Sequence, residues 1–221
     1  MNNETHPNTI ENEPEHQGTS SVTAYEYDNA TAEGGWDSPE RAQRLVDSYI
    51  KDGTLVLDIG TGTGQAVEGY VEKGAMVVAL DQDSDMLALA RERIGDKGVY
   101  RIADINSELP LEDINGLVDV TQAIGVLEFA KDLPGLMGQV ELVLSPNGVF
   151  VFTIEEPLLG GELTEHYADI NVNTYRHTSE EVKKLLIESG FKLLRDESYV
   201  GYDRGDNQKV PYHIYLAQKS Q

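Results

Sequence analysis

The sequence predicts an α/β fold, with a mostly parallel sheet covered by helices on both faces and closed by an antiparallel pair of strands at the C-terminus. Three observations predict it. From Ser38 onward the hydrophobic period switches repeatedly between strand-like and helix-like. The run "TLVLDI" (54–59) is apolar at successive positions with a glycine on either side, as suits a strand buried on both faces. The last two strand-like runs, 191–202 and 210–219, are separated by little more than "DRGDNQ", too short for a crossover helix, so they must run antiparallel.

The elements follow in order. "SPERAQRLVDSYI" places Ala42, Leu45, Val46, Tyr49 and Ile50 on one helical face, with Ser38 as the expected N-cap and Pro39 at the first helical position. After the strand 54–59 come an amphipathic stretch 65–73 closed by Gly74, a strand 76–81, and a helix from Ser84 carrying Met86, Leu87, Leu89, Ala90 and Ile94. Strands are expected at 99–104, 117–124 and 149–154, and a helix at 132–144. "SPNG" reads as a turn. "TSEEVKKLLIESG" is a marked helix, with a capping box from Thr178 to Glu181 and Gly190 at C′.

Composition limits the function. The 221 residues fit one domain and a tail, and 17 Lys plus Arg against 39 Asp plus Glu leave a net charge of −22. A surface so negative repels phosphate backbones and anionic lipid, which argues against nucleic acid and membrane partners. Without cysteine there is no disulfide framework, thiolate metal site or cysteine nucleophile, and no metal is expected. Residues 1–22 are polar and read as a disordered acidic tail in which His6 and His16 are solvated spacers. The start has neither a basic n-region nor an apolar run, so a cytoplasmic protein is expected, as a monomer or homodimer.

The chemistry centres on "VLDIGTGTGQ" (56–65), placed after the first strand where the crevice of a parallel sheet opens. Gly60, Gly62 and Gly64 let main-chain N–H groups approach a ligand with no Cβ between. A dinucleotide fingerprint requires G-x-G-x-x-G, and its last place is filled by Gln65 in one register and Val67 in the other. Asp58 before the loop repels a pyrophosphate and favours a cation.

The pattern acid-x-Gly-x-Gly-x-Gly resembles that of the class I S-adenosylmethionine-dependent methyltransferases, and the resemblance runs from about Tyr27 to the C-terminus. It implies a Rossmann-like three-layer sandwich around a mostly parallel seven-stranded sheet. It also implies a methyltransferase domain over 23–221, with 23–52 as an N-terminal cap. Asp58, Gly60, Thr61, Gly62 and Gly64 would wrap the methionine part of S-adenosyl-L-methionine, with Tyr27 from the cap. "ALDQDSDML" matches the second motif: Asp81 would take the ribose hydroxyls, with Gln82 and Met86 beside the adenine. "RIADINSELP" matches the third, Asp104 accepting from the adenine amino group and the Ile105 N–H reading the ring. "VDVTQAIGVLEFAKD" matches the fourth and brings Ala123 to the cofactor. Many relatives carry His where Phe129 stands and an acid where Gly125 stands. "YDNATAEGGWDSP" gives a looser likeness to the small-molecule methyltransferases that include the Williams–Beuren-region protein.

A sulfonium methyl is already electrophilic, so the protein needs to supply position, dryness and at most a base. The segment 156–177 is too long for a plain connection and is expected to form a lid. It holds the candidate bases His166 and His177, and Tyr167, Tyr175 and Arg176, which with Trp36 would line the acceptor site. Arg176 either neutralises an anionic acceptor group or pairs with a neighbour. His213 reads as structural. The expected reaction is methyl transfer to an oxygen or nitrogen of a small molecule; the alternatives are an NAD(P)-dependent oxidoreductase and a non-catalytic S-adenosylmethionine-binding protein.

Overall fold

A computed structural model describes residues 24–158, 162–167, 172–203 and 209–220. The acidic tail expected at 1–22 lies outside the described residues. Nine strands and six helices are described: α1 (Tyr27–Glu33), α2 (Ser38–Val46), β1 (Leu55–Ile59), α3 (Glu68–Glu72), β2 (Met76–Asp81), α4 (Ser84–Ile94), β3 (Gly98–Ile102), β4 (Val118–Ala123), α5 (Leu133–Val143), β5 (Leu144–Glu155), β6 (Thr164–Tyr167), β7 (Val172–Tyr175), α6 (Ser179–Glu188), β8 (Phe191–Asp203) and β9 (Lys209–Lys219). Seven strands form one sheet in the order β3-β2-β1-β4-β5-β9-β8, and β6 pairs with β7 apart from it. β1 to β5 are parallel, whereas β9 runs antiparallel between β5 and β8.

This is the parallel sheet with helices on both faces that the alternating periods predict, in the Rossmann-like three-layer form that the resemblance implies. Successive strand residues point to opposite faces, so each apolar strand feeds two cores. Leu57 and Ile59 face one core with Leu136, Val140 and Leu186; Val56 faces the other with Ala42, Val46, Ala90 and Ile94. The chain leaves β1 toward β2 on one side and returns to β4 on the other, so the crevice opens above the carboxyl ends of β1 and β4.

Some local expectations are corrected. Asp37, not Ser38, occupies the N-cap of α2, and the Ser38 hydroxyl instead bonds the Tyr199 phenol at 2.5 Å. Tyr25 and Tyr27 lie in helical turns before α2, where no helix was expected. The 65–73 helix shrinks to Glu68–Glu72 because the glycine loop continues to Val67. "SPNG" turns inside β5: the β4 register jumps from Val118↔Leu144 to Val120↔Val149, and Asn147 takes φ +68°, a region Asn tolerates better than most residues. The long 156–177 segment contains the hairpin β6–β7, which period analysis of such short strands missed. Thr178 does form a full capping box with Glu181, and Gly190 follows α6 with φ +81°.

Candidate functional site

The glycine loop is held from below. Asp58, 1% exposed, accepts from the Thr61 hydroxyl at 2.6 Å and from the Gln122 amide at 3.0 Å, while Tyr70 donates to Gln122 at 2.9 Å. Burial pushes the Asp58 carboxyl up to about 6, against those two hydrogen bonds. Both its oxygens therefore work inside the protein, fixing the loop to β1 and β4.

The three glycines face different surroundings. A Cβ on Gly60 would lie 2.6 Å from Val126 Cγ2, and one on Gly64 would lie 3.0 Å from Ile94 Cδ1. Those two bring the loop against the turn after β4 and against α4. Gly62 has φ +52° and nothing within 4 Å of its would-be Cβ, so only there does the bare backbone face open space.

Asp81 ends β2 beside this opening. Its carboxylate accepts the Gly62 N–H at 2.8 Å and the Asp83 N–H at 3.0 Å, which joins loop and strand end into one unit. Burial raises its carboxyl, with the Asp83 and Gly62 amides opposing. Asp83 caps α4. Toward the edge, Gln82 is exposed, Met86 is buried and Ile105 packs partly on the core. Asp104 is exposed and accepts the Asn106 N–H at 2.8 Å, and Asn106 reaches across to the Phe129 carbonyl at 3.2 Å. Ala123 is fully buried at the end of β4, so only its main chain can serve the crevice.

The N-terminal segment is docked on the same loop. Asp28 accepts from the Thr63 hydroxyl at 2.6 Å and pairs with Arg93 at 2.5 Å, and Arg93 also bonds the Thr63 carbonyl at 3.0 Å. Tyr27 is thereby brought over the crevice; burial first, then the charges of Glu128, Asp81 and Asp28, push its phenol up to about 12. Tyr25, by contrast, is 76% exposed.

At the other end the aromatic groups converge. Trp36 meets Tyr212 edge-on at 5.1 Å and Tyr202 at 6.1 Å, and a Cβ on Gly125 would lie 2.8 Å from the Trp36 ring. Beneath them Glu128 is 4% exposed; Tyr212 donates to its Oε1 at 2.5 Å, and its Oε2 has no hydrogen-bond partner. Burial pushes the Glu128 carboxyl up to about 7, against the Tyr212 hydrogen bond. The fourth-motif reading weighed Gly125 and Phe129 but missed Glu128. The available signal was an acid inside the apolar run "VLEFA", which must be buried with its neighbours.

The lid candidates separate. Arg176 is 7% exposed and pairs with Glu155, itself 2% exposed, at 2.5 Å, and with Glu165 of β6. Of the two sequence alternatives, pairing with neighbours is the one the geometry carries. His166 lies exposed on β6, bonded to Asn173 at 2.8 Å. His177 is half-buried with Nε2 unpartnered, and burial lowers its pKa. Tyr175 is half-buried on β7; Tyr167 ends β6. His213 is structural, held between Glu156 at 3.2 Å and Asp196 at 2.9 Å.

The described residues form a doubly wound α/β sheet whose crevice has a glycine loop joined to an acid that ends the second strand. Residues 57–152 match the family profile described as a methyltransferase domain. In this match and in its fold the chain is similar to the class I S-adenosylmethionine-dependent methyltransferases. It is 32% identical over 140 residues to the malonyl-[acyl-carrier protein] O-methyltransferase of Serratia marcescens, covering 61% of this chain and 52% of that one. The chain spans about half the length of the curated relatives it matches. Among solved structures, an S-adenosylmethionine-dependent methyltransferase from Mesorhizobium loti superposes with TM-score 0.65 at 23% identity, over 80% of this chain and 98% of that one. The Burkholderia thailandensis 1,6-didemethyltoxoflavin-N1-methyltransferase, solved with 1,6-didemethyltoxoflavin and S-adenosylhomocysteine, superposes with TM-score 0.67 at 18% identity, over 90% and 87%.

Proposed function

We propose that the protein transfers the methyl group of S-adenosyl-L-methionine to an oxygen or nitrogen of a small-molecule acceptor by direct displacement. The observation that carries this is the Gly62–Asp81 unit: open backbone at Gly62, locked to a carboxylate placed for a diol. A dinucleotide reading finds no support, because the place of its third glycine is taken by a side chain and the nearby acid repels phosphate.

When bound, the sulfonium supplies an activated methyl group. Asp81 is in position for the ribose hydroxyls, and Asp104 with the Ile105 N–H for the adenine edge beside Gln82 and Met86. Gly60, Thr61, Gly62 and Gly64 present main chain to the amino-acid arm, with Asp58 stiffening them from below, and Tyr27 closes over them from α1. Trp36, Tyr175, Arg176 and the β6–β7 hairpin enclose the acceptor, and desolvation is their contribution. Of the candidate bases, His177 fits better than His166, since its unpartnered Nε2 is kept neutral by burial. A small-molecule acceptor, a cytoplasmic setting and the absence of nucleic-acid partners all accord with the −22 charge. Among the described residues no helix is long and apolar enough to cross a membrane.

Calorimetric titration with S-adenosylhomocysteine tests the cofactor assignment. Wild type should bind at micromolar Kd, and Gly62→Ala should weaken binding at least about tenfold while unfolding cooperatively, since its Cβ meets no protein atom and costs only about 1–2 kcal/mol of backbone strain. Equal affinity in the two, or heat protection by NADH alone, would remove the proposal.

A further inference from the structure

Glu128 asks for a ligand that the methyl donor does not explain. It sits on the turn after β4 beside an aromatic cluster in which Trp36 and Tyr202 are partly exposed and Tyr212, like Glu128 itself, is buried. Tyr212 satisfies one carboxylate oxygen, and the other is buried with no hydrogen-bond partner. An isolated buried carboxylate oxygen is expensive, and proteins normally pair such a group. Nearby charge does not repair it: Glu155 adds a second acid, and the buried Arg176 pairs with Glu155 and Glu165. Trp36, Tyr202 and Tyr212 pack against one another at 5.1–6.1 Å between ring centroids, with Tyr199 at 6.2 Å from Tyr212. Aromatic faces over a buried anion select an organic cation, since both the ring quadrupoles and the carboxylate attract positive charge.

We propose that the acceptor carries a positively charged nitrogen, recognised by Glu128 Oε2 together with the Trp36–Tyr202–Tyr212 aromatic cluster. The charged nitrogen is a handle for recognition and need not be the atom that is methylated. A metal ion fits less well, because no group of three or more His, Asp or Glu among the described residues is arranged to hold one. The proposal rests on the methyltransferase reading in taking this cluster as part of the acceptor site.

Three isosteric probes, benzylamine, benzyl alcohol and benzoate, test it by calorimetry at about pH 8, with and without S-adenosylhomocysteine. The wild type is expected to bind benzylamine about tenfold or more tighter than benzyl alcohol and to reject benzoate. Glu128→Gln should lose that preference while still binding S-adenosylhomocysteine, and Glu128→Asp should retain it. The wild-type ranking stands without any variant, so a variant that fails to fold leaves the proposal testable. It is overturned if benzyl alcohol or benzoate binds the wild type as tightly as benzylamine, if none of the three binds, or if Glu128→Gln keeps the preference. Failure of S-adenosylhomocysteine to bind while the benzylamine preference holds would count against the cofactor reading and leave the cation site standing.

Discussion

Asp58 and Glu128 are both buried carboxyls beside the crevice, and their partners separate their roles. Asp58 has donors on both oxygens and belongs to the scaffold; Glu128 has one oxygen unmet. The raised Glu128 pKa carries a sign that can be worked out. Below the ordinary carboxylate range the group is neutral both folded and unfolded; between there and about 7 the folded state alone holds the proton, so stability falls as pH rises through that window. Glu128→Gln cannot ionise. Its Tm relative to wild type should therefore rise between about pH 5 and pH 8, on the order of 5 °C. Parallel melting curves across that range would contradict the assignment. At this scale the sequence was partly legible: Asp58, Gly62 and Asp81 stand out by spacing, whereas Glu128 gains meaning only once Tyr212, far along the chain, is folded onto it.

At the scale of elements, the N-terminal helix and the hairpin are the parts that the hydrophobic period did not disclose. α1 is seven residues long and Tyr27 is its one large apolar group, only partly buried, so it leaves no apolar stripe to read; it is placed by Asp28 on Thr63 and Arg93. Asp28→Ala should release it from the glycine loop. Trp36, the only tryptophan, follows directly and reports the event: its emission should shift to longer wavelength, and affinity for S-adenosylhomocysteine should drop about tenfold, with little change in Tm. An unchanged emission spectrum and affinity would show that α1 is not held by this contact. β6 and β7 have four residues each and are likewise invisible to a period-2 test, whereas α6, with its capping box, and the long β8–β9 pair were read in full. Arg176 links the hairpin to β5 through Glu155 and Glu165, which makes the hairpin an ion-paired element.

At the scale of the molecule, the legible part is the one dictated by topology. Parallel strands with short connections can be wound in few ways, so the order of apolar runs and the antiparallel end fix the sheet and hence the crevice. What the chain order does not reveal is how loops from distant elements close over that crevice, because their contacts join single residues far apart in sequence. The central claim is that one nucleoside lies across the ends of β1, β2 and β3, with its amino-acid arm on the glycine loop. The most direct measurement is a crystal structure of the protein with S-adenosylhomocysteine. The account predicts ribose hydroxyls on the Asp81 carboxylate, adenine beside Asp104 and Ile105, and the homocysteine arm along Gly60–Gly64 facing Gly62. A nucleoside bound elsewhere, or one seated there with Asp81 turned away from its ribose, would contradict it.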